Sequence, residues 1–518
     1  KPGTFHEAMQ LFWLFALLAG VINYGRLDDY LGPYLVADLK SGRLTDEEAY
    51  RYIHSLWTMI ENRRTTVNGR IIVGGKGRKH PKEADVFLHI AMKVAKNCRY
   101  VEPQFTLRFD KDTSEEIWDE ALDALGAGAT YPTLYNDDVN VPAVMYGMRV
   151  DEKAAEQYVP FGCTEFVIQG QSTGTPNICI NLLKLLTIYM NDGIDPIDGK
   201  RKSGPVPLKK LEEYQTFEEF YDGYKALLDY YLDLSVKAQY HSYEVMNQHV
   251  SFLFTSLLTD DCIARGKALL DGGVRYLGGT NETYGNINTS DSLWVIRDLV
   301  FNQKKYTLRQ LNDAMLANFN GYEALRKDCL NCDKYGNDLE TADTMANDLY
   351  EFVAKGVRNR GIAIGMQYFL IVISNNQLNT EWGNRTAASP DGRLSCMYMN
   401  PANNPQGGAN KSGPTAMLNS LAKFDAKYHG GSVQNIKFSP SMFNENRAVI
   451  KSLFKTYFAK GGCHLMVTVV DKGVLEDAVE HPENYPDLIV RVSGFSAVFV
   501  DLSPNIQQEL LSRVLYDE

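Results

Sequence analysis

The sequence lacks the features that would direct it to a membrane, to nucleic acid or to an oxidising exterior. Its longest apolar run, residues 11–22, is shorter than the ~20 residues a bilayer-spanning helix needs and reads as a buried helix. No signal peptide is expected before that run. There is no long basic block. The 53 Lys and Arg are outnumbered by 64 Asp and Glu, for a net charge of −11, which argues against nucleic acid or an anionic membrane as partner. Cysteine is sparse: eight residues, at 98, 163, 179, 262, 329, 332, 396 and 463, are scattered over 518 positions. That is no disulfide framework, so a reducing cytosol is expected. The nine histidines form no HExxH or similar cluster. Cys329-Leu330-Asn331-Cys332 has no second pair, and Cys463-His464 has no further ligand-type neighbours. Both read as packing, and no metal is expected.

What the chain does contain is a core and an alternation. Hydrophobic residues make up 44 % of it, enough for a large interior. Residues 4–30 have a helical pattern, which Gly25-Arg26-Leu27-Asp28-Asp29-Tyr30-Leu31-Gly32-Pro33-Tyr34 then breaks. Thr45-Asp46-Glu47-Glu48 reads as an N-cap with an acidic first turn, opening a helix to about Glu61. A short strand follows in Asn68-Gly69-Arg70-Ile71-Ile72-Val73, ending in the glycine-rich, basic loop Gly74-Gly75-Lys76-Gly77-Arg78. That loop could hold an anion, but it lacks P-loop spacing and reads as a turn. Pro103-Gln104-Phe105-Thr106-Leu107-Arg108-Phe109 alternates like a strand, with a helix over 114–125 after it. Tyr131-Pro132-Thr133-Leu134-Tyr135-Asn136-Asp137-Asp138 is a second strand-to-loop edge. Long helices are expected over 182–191 and 217–266. Strands alternating with helices imply an α/β barrel. No repeat or low-complexity segment is present. The Asn-, Gly-, Pro- and Ser-rich stretch 379–412 is the candidate domain boundary.

Two short strings carry the chemistry. In Leu488-Ile489-Val490-Arg491-Val492-Ser493-Gly494-Phe495-Ser496-Ala497-Val498-Phe499-Val500, apolar runs flank a Ser-Gly pair, the pattern of two buried strands joined by a tight turn at Gly494. In Pro160-Phe161-Gly162-Cys163-Thr164-Glu165-Phe166, a thiol and a carboxylate stand two residues apart. By itself each string has an ordinary reading, a turn glycine and a small core cysteine. Arg491 reads as neutralising a nearby carboxylate or a loop carbonyl.

Taken together, Arg-Val-Ser-Gly-Phe-Ser-Ala around Gly494 and the loop at Cys163 resemble the signatures of the glycyl radical enzymes. That family includes pyruvate formate-lyase and the radical diol dehydratases. The strings Asn384-Arg385-Thr386-Ala387-Ala388-Ser389-Pro390-Asp391-Gly392-Arg393 and Lys411-Ser412-Gly413-Pro414-Thr415-Ala416 resemble its landmarks leading into the glycine radical domain. The resemblance covers nearly the whole chain. It implies a ten-stranded α/β barrel, with cysteine and glycine loops meeting at its centre. The barrel domain would cover residues 1–390 and the glycine radical domain 395–518. Family members usually carry a few hundred residues upstream of the matched segment, and residue 1 is Lys. The expectation is therefore a fragment, a processed chain or one half of a split enzyme, with a barrel only partly present.

The resemblance also implies a mechanism. Gly494 would store a Cα radical, stabilised by both flanking amides in a planar geometry that a side chain would crowd. That radical would take the hydrogen atom of the Cys163 thiol, and the thiyl would take one from a substrate carbon. Glu165 would remove a proton beside the substrate radical, as in the radical eliminases and arylacetate decarboxylases that share a Cys-x-Glu arrangement. Residue 164 is Thr where pyruvate formate-lyase has a second cysteine, so elimination with C–O or C–N cleavage is preferred. Decarboxylation, formate acetyltransferase-like C–C cleavage and a split-enzyme subunit are the alternatives. Asp137 and Asp138, at a strand end, are candidate substrate ligands, with structural capping equally open. No bound cofactor is expected. A separate S-adenosylmethionine-dependent iron–sulfur activating enzyme, a homodimer and an anaerobic cytoplasm are implied.

Overall fold

The computed structural model describes residues 1–21, 23–64, 69–174, 178–250, 252–374 and 377–517. Ile22 and Asn68, which the sequence reading included in a helix and in a strand, lie outside them.

The chain opens with helix α1 (Phe5–Leu18), strand β1 (Asn23–Arg26) and helix α2 (Leu27–Lys40). The helical pattern over residues 4–30 therefore contains a strand, and the expected break at 25–34 is mostly helix. Gly32 lies inside α2 because helix α4 (Pro81–Asn97) passes so close that a Cβ there would sit 2.6 Å from the Glu83 carbonyl oxygen. Nor is the apolar run of α1 buried: Leu11, Leu14, Phe15, Leu17 and Leu18 are all exposed. Helix α3 (Asp46–Glu61) starts where its cap dictates. Thr45 Oγ1 accepts from Glu48 N while Thr45 N donates to the Glu48 carboxylate, closing a capping box. Its buried residues Ala49, Ile53, Leu56, Trp57 and Ile60 recur at helical spacing.

Strands β2 (Arg70–Gly74), β3 (Phe105–Phe109) and β4 (Thr133–Asn136) extend a parallel sheet from β1, each pairing with the strand before it, with helix α5 (Glu115–Gly126) between β3 and β4 and helix α6 (Asp137–Met148) after β4. Two further strands, β5 (Tyr158–Phe161) and β6 (Glu165–Ile168), form a separate hairpin. A second sheet follows, built from β7 (Ile178–Asn181), β8 (Gly278–Tyr284), β9 (Tyr368–Ile373) and β10 (His429–Ser432) in the order β10-β9-β8-β7. Strands β11 (Asn435–Phe438) and β12 (His464–Val469) complete the first sheet, in the order β1-β2-β3-β4-β12-β11, with β12 antiparallel to β4. Only Val433 and Gln434 separate β10 from β11, so one extended segment carries the chain from one sheet to the other. The last hairpin is β13 (Ile489–Arg491) with β14 (Ser496–Val498).

The strand pattern explains what the sheets enclose. Ile71, Val73, Phe105, Leu107, Phe109, Leu134, Leu465 and Val467 join the large core shared with the outer helices. Their alternating neighbours Arg70, Thr106, Arg108, Thr133 and Tyr135 are buried on the opposite face. There Ile72 packs with Val159 and Val167 of the β5–β6 hairpin. On the second sheet Tyr368 and Leu370 pack with Tyr158, Phe166 and Ile168 of the same hairpin. The polar faces of the two sheets thus surround a hairpin rather than a packed apolar centre.

The helix expected over 217–266 ends at His249. Short helices Leu253–Leu257 and Cys262–Arg265 follow, entered through Phe252 and Asp261 at positive φ, conformations that interrupt a helix. No helix among the described residues is long and apolar enough to cross a membrane.

Candidate active site

In the β5–β6 hairpin Phe161 pairs with Glu165, leaving Gly162-Cys163-Thr164 as the turn. Gly162 takes φ +51 there. Three strands grip that turn. From β2, Arg70 Nη2 donates to the carbonyl oxygens of Gly162 at 2.8 Å and Cys163 at 3.2 Å. The same guanidinium reaches Gln104 and Thr106, each at 2.8 Å. From β4, Tyr135 Oη donates to Thr164 Oγ1 at 3.1 Å. From β10, Gly431 comes so close that a Cβ would lie 2.3 Å from the Thr164 carbonyl oxygen. A planar guanidinium fully withdrawn from water is costly, and these acceptors offset that cost by fixing the turn's backbone.

The β13–β14 hairpin approaches from the other side. Arg491 pairs with Ser496, Val492 N donates to Phe495 O at 3.0 Å, and Gly494 takes φ +77 at the tip. The turn is buried, and Val490, Val492, Phe495 and Phe499 share a small core with Leu475, Ile506 and Leu510. Arg491 was expected against a carboxylate or a loop carbonyl. Its side chain donates to Ser496 Oγ at 3.2 Å and Met466 Sδ at 3.1 Å, its guanidinium lies 5.1 Å from the centre of the Tyr131 ring, and its charge acts on the buried carboxyl of Glu102. A cation over an aromatic face stays favourable where burial excludes water.

The two tips touch. A Cβ added at Gly494 would lie 2.5 Å from Cys163 Cβ and 2.9 Å from Cys163 Sγ. A Cβ replaces one of the two Cα hydrogens of glycine, so one Cα–H bond of Gly494 is aimed at the Cys163 side chain. Cys163 is 4 % exposed. Burial, then the carboxylates of Glu165 and Glu282, pushes its thiol well above the ordinary range. At neutral pH the sulfur therefore keeps its hydrogen. Glu165 opens β6 beside it, itself buried, with its carboxylate accepting from Thr164 N at 2.8 Å.

Asp137 and Asp138 stand elsewhere and are engaged. Asp137 accepts from Arg108 Nε and Nη2, Tyr158 Oη and Lys76 N. Asp138 pairs with Lys76 Nζ at 2.7 Å and accepts from Lys111 N. These contacts tie β4 to the glycine-rich loop, where Arg78 is likewise paired with Asp85. That loop turns the chain, as its glycines at positive φ require.

Cys329, Cys332 and Cys463 are free thiols, and His464 Nδ1 accepts from Gln434 N at 3.2 Å. Burial, and then Arg70, Arg491 and His429, holds the His464 imidazole well below its ordinary range, so it is neutral. Among the described residues one group could offer three ligands to a metal ion: His89, Glu116 and Glu120, on α4 and α5.

Arg70, Tyr135, Gly431, Cys179 and Glu282 are the residues the sequence reading missed. Arg70 left a signal, a lone cation heading an apolar strand. Cys179 and Glu282 left little. They are register partners on adjacent strands, and Cys179 Sγ donates to Glu282 Oε2 at 3.8 Å. Only the sheet brings them together.

Comparison with known proteins places this geometry. The Pyruvate formate lyase-like family profile matches residues 1–378, and the Glycine radical profile matches residues 399–500. Trans-4-hydroxy-L-proline dehydratase of Clostridioides difficile is 28 % identical over 99 % of this chain and 68 % of its own length. The (2S)-3-sulfopropanediol dehydratase of Klebsiella oxytoca is also 28 % identical, over 99 % of this chain and 65 % of its length. The glycerol-bound structure of the B12-independent glycerol dehydratase from Clostridium butyricum superposes with a TM-score of 0.90 at 28 % identity, covering 100 % of this chain and 68 % of that one. The present chain thus spans about two thirds of the length of these relatives.

Proposed function

We propose a radical elimination for this chain, which belongs to the pyruvate formate lyase-like family and carries a glycine radical domain. Its relatives include dehydratases and a sulfite-lyase, and we assign this chain to the same class of chemistry. A separate activating enzyme, S-adenosylmethionine-dependent with an iron–sulfur cluster, removes a Cα hydrogen atom from Gly494. The glycyl radical takes the hydrogen atom of Cys163 Sγ and leaves a thiyl. The thiyl takes a hydrogen atom from a hydroxyl-bearing carbon of a small polar substrate. Glu165 accepts the proton of that hydroxyl. The neighbouring C–O or C–N bond then breaks, with its electron pair going to the leaving group. The product radical recovers a hydrogen atom from the Cys163 thiol, and the thiyl returns its radical to Gly494.

One observation carries this reading: the Gly494 Cα–H bond aimed at a buried, protonated Cys163 thiol. Hydrogen-atom transfer needs S–H rather than thiolate, so the raised pKa that would silence a nucleophilic cysteine suits this role. Burial also keeps water and oxygen from the radical.

The test is anaerobic electron paramagnetic resonance after treatment with an activating enzyme and S-adenosylmethionine. The expected result is a doublet that disappears in Gly494→Ala and persists in Cys163→Ala, with product formed only by the unmutated chain. Treated protein with no doublet, or product formation by Cys163→Ala, overturns the assignment.

A further inference from the structure

Strand β11 presents two polar side chains to the glycine hairpin. Ile436 and Phe438 enter the large core, so Asn435 and Lys437, which alternate with them, face the other way. Both are buried. Asn435 Nδ2 donates to Ser493 Oγ, beside Gly494, at 3.4 Å, and Lys437 Nζ donates to the Leu510 carbonyl oxygen at 3.1 Å. Asn435, Lys437 and Leu510 line one cavity, together with Val490 and Arg491 of β13 and with Arg513.

The charge on Lys437 is not balanced inside the protein. Among the described residues it forms no ion pair, and the Leu510 carbonyl is the acceptor for just one of its three N–H donors. Glu509 is the carboxylate that draws on it, and that carboxylate accepts from Arg513 Nε at 2.9 Å and Nη2 at 2.7 Å. Burial, then repulsion from Arg513, lowers the Lys437 amine from 10.5 to about 8, Glu509 opposes the shift and Lys472 adds to it. The amine is therefore mostly protonated at pH 7. Arg491 adds another cation to the cavity wall.

The remaining wall includes Val470, Leu475, Val490 and Val514 and is largely apolar. The cavity offers water centres about 50 Å³. One water needs about 10–15 Å³, so there is room for about three to five non-hydrogen atoms.

We infer that this cavity binds a small organic anion, a carboxylate of about two or three carbons, with its oxygens on the Lys437 ammonium and its short tail against Val470, Val490 and Val514. A carboxylate supplies the counter-charge that a buried ammonium needs, through charge-assisted hydrogen bonds. Water satisfies the donors but leaves the charge. A bound anion touches both β11 and β13, and so braces the glycine hairpin against the first sheet. Cys163 does not line this cavity, and the inference does not depend on the radical-elimination reading.

Titration calorimetry on the unactivated full chain compares propionate with propionamide, its neutral analogue of the same shape. Propionate is expected to bind about ten-fold or more tightly at pH 7, the step that one charge-assisted contact supports. Its affinity is expected to fall several-fold between pH 7 and pH 9, as the free amine loses its proton. A site built on arginine alone would keep its charge over that range. In Lys437→Met, checked for folding by circular dichroism, propionate binding is expected to weaken about ten-fold or more. Equal affinities for the two ligands, no binding of propionate, an affinity unchanged from pH 7 to pH 9, or full affinity in Lys437→Met overturns the proposal. The first three are read on the unmutated chain and decide the matter even where Lys437→Met does not fold.

Discussion

Gly494 and Cys163 are separated by 331 residues (494 − 163), and a single methyl group at Gly494 would overlap the Cys163 side chain, reaching 2.5 Å from its Cβ. The glycine thus has two independent reasons to be glycine: it stands at positive φ, and the partner thiol occupies the space a side chain would need. Gly494→Ala is expected to lose about 2–4 kcal/mol of stability from left-handed backbone strain and overpacking. Urea unfolding measures the loss. A stability equal to that of the unmutated chain would mean the two tips do not touch in solution.

Arg70 acts on the site through backbone, holding the carbonyls on either side of the Gly162–Cys163 bond. Lysine keeps the charge but cannot span those two acceptors together with Gln104 and Thr106. Arg70→Lys is expected to lower kcat about ten- to a hundred-fold, the scale of an ångström-level misplacement, with KM nearly unchanged. The Gly494 doublet should survive. Unaltered turnover in Arg70→Lys would show that the cysteine turn holds its place without the guanidinium.

Glu165→Gln preserves shape and removes the proposed base. Turnover is expected to fall about 10²- to 10⁴-fold, the usual contribution of a positioned proton acceptor, while radical formation on Gly494 proceeds. Activity within a few-fold of the unmutated enzyme would assign the proton transfer to another group.

Glu102 supplies a pH signature. It lies near Arg491 and Arg70, yet burial outweighs both cations and raises its carboxyl from 4.5 to about 8. A carboxyl raised on folding favours the native state below its unfolded pKa, and that advantage is lost as pH climbs toward the folded value. The unmutated chain should therefore lose stability relative to Glu102→Gln between about pH 4.5 and pH 8, by a few kcal/mol in all. Urea melts of both proteins at pH 5 and pH 8 test this. A stability difference that does not change with pH would refute it.

The sequence made some of this plain and hid the rest for physical reasons. The 488–500 hairpin and the α3 cap were legible because turn and cap chemistry are local: a glycine at positive φ, a Thr three residues before a Glu. Cys163 was legible only through its resemblance, because a thiol amid apolar residues looks like core. Residues 4–30 misled because Asn23–Arg26 is a strand of four residues, too short to impose its own period on the helical pattern around it. The helix over 217–266 was drawn too long because its end at His249 carries no glycine or proline. Asp137 and Asp138 drew notice as acids at a strand end. What they meet, Arg108 and Lys76, depends on strands 29 or more residues away. Glu282 lay in Gly-Gly-Thr-Asn-Glu-Thr-Tyr, a strand with polar residues on both faces, Asn281 bonding to Ser235 of the outer helix, so it lacks the apolar alternation that marks most strands.

The placement of the two tips along the chain also sets an order of assembly during biosynthesis. At roughly 5–20 residues per second, the ribosome adds Gly494 about 17–66 s after Cys163. The β5–β6 hairpin and its grip by Arg70 draw only on residues already made by then, whereas the contact from Gly431 comes later and Gly494 later still. Gly494 is therefore delivered late, to a cysteine turn that the nascent chain has had time to set in place.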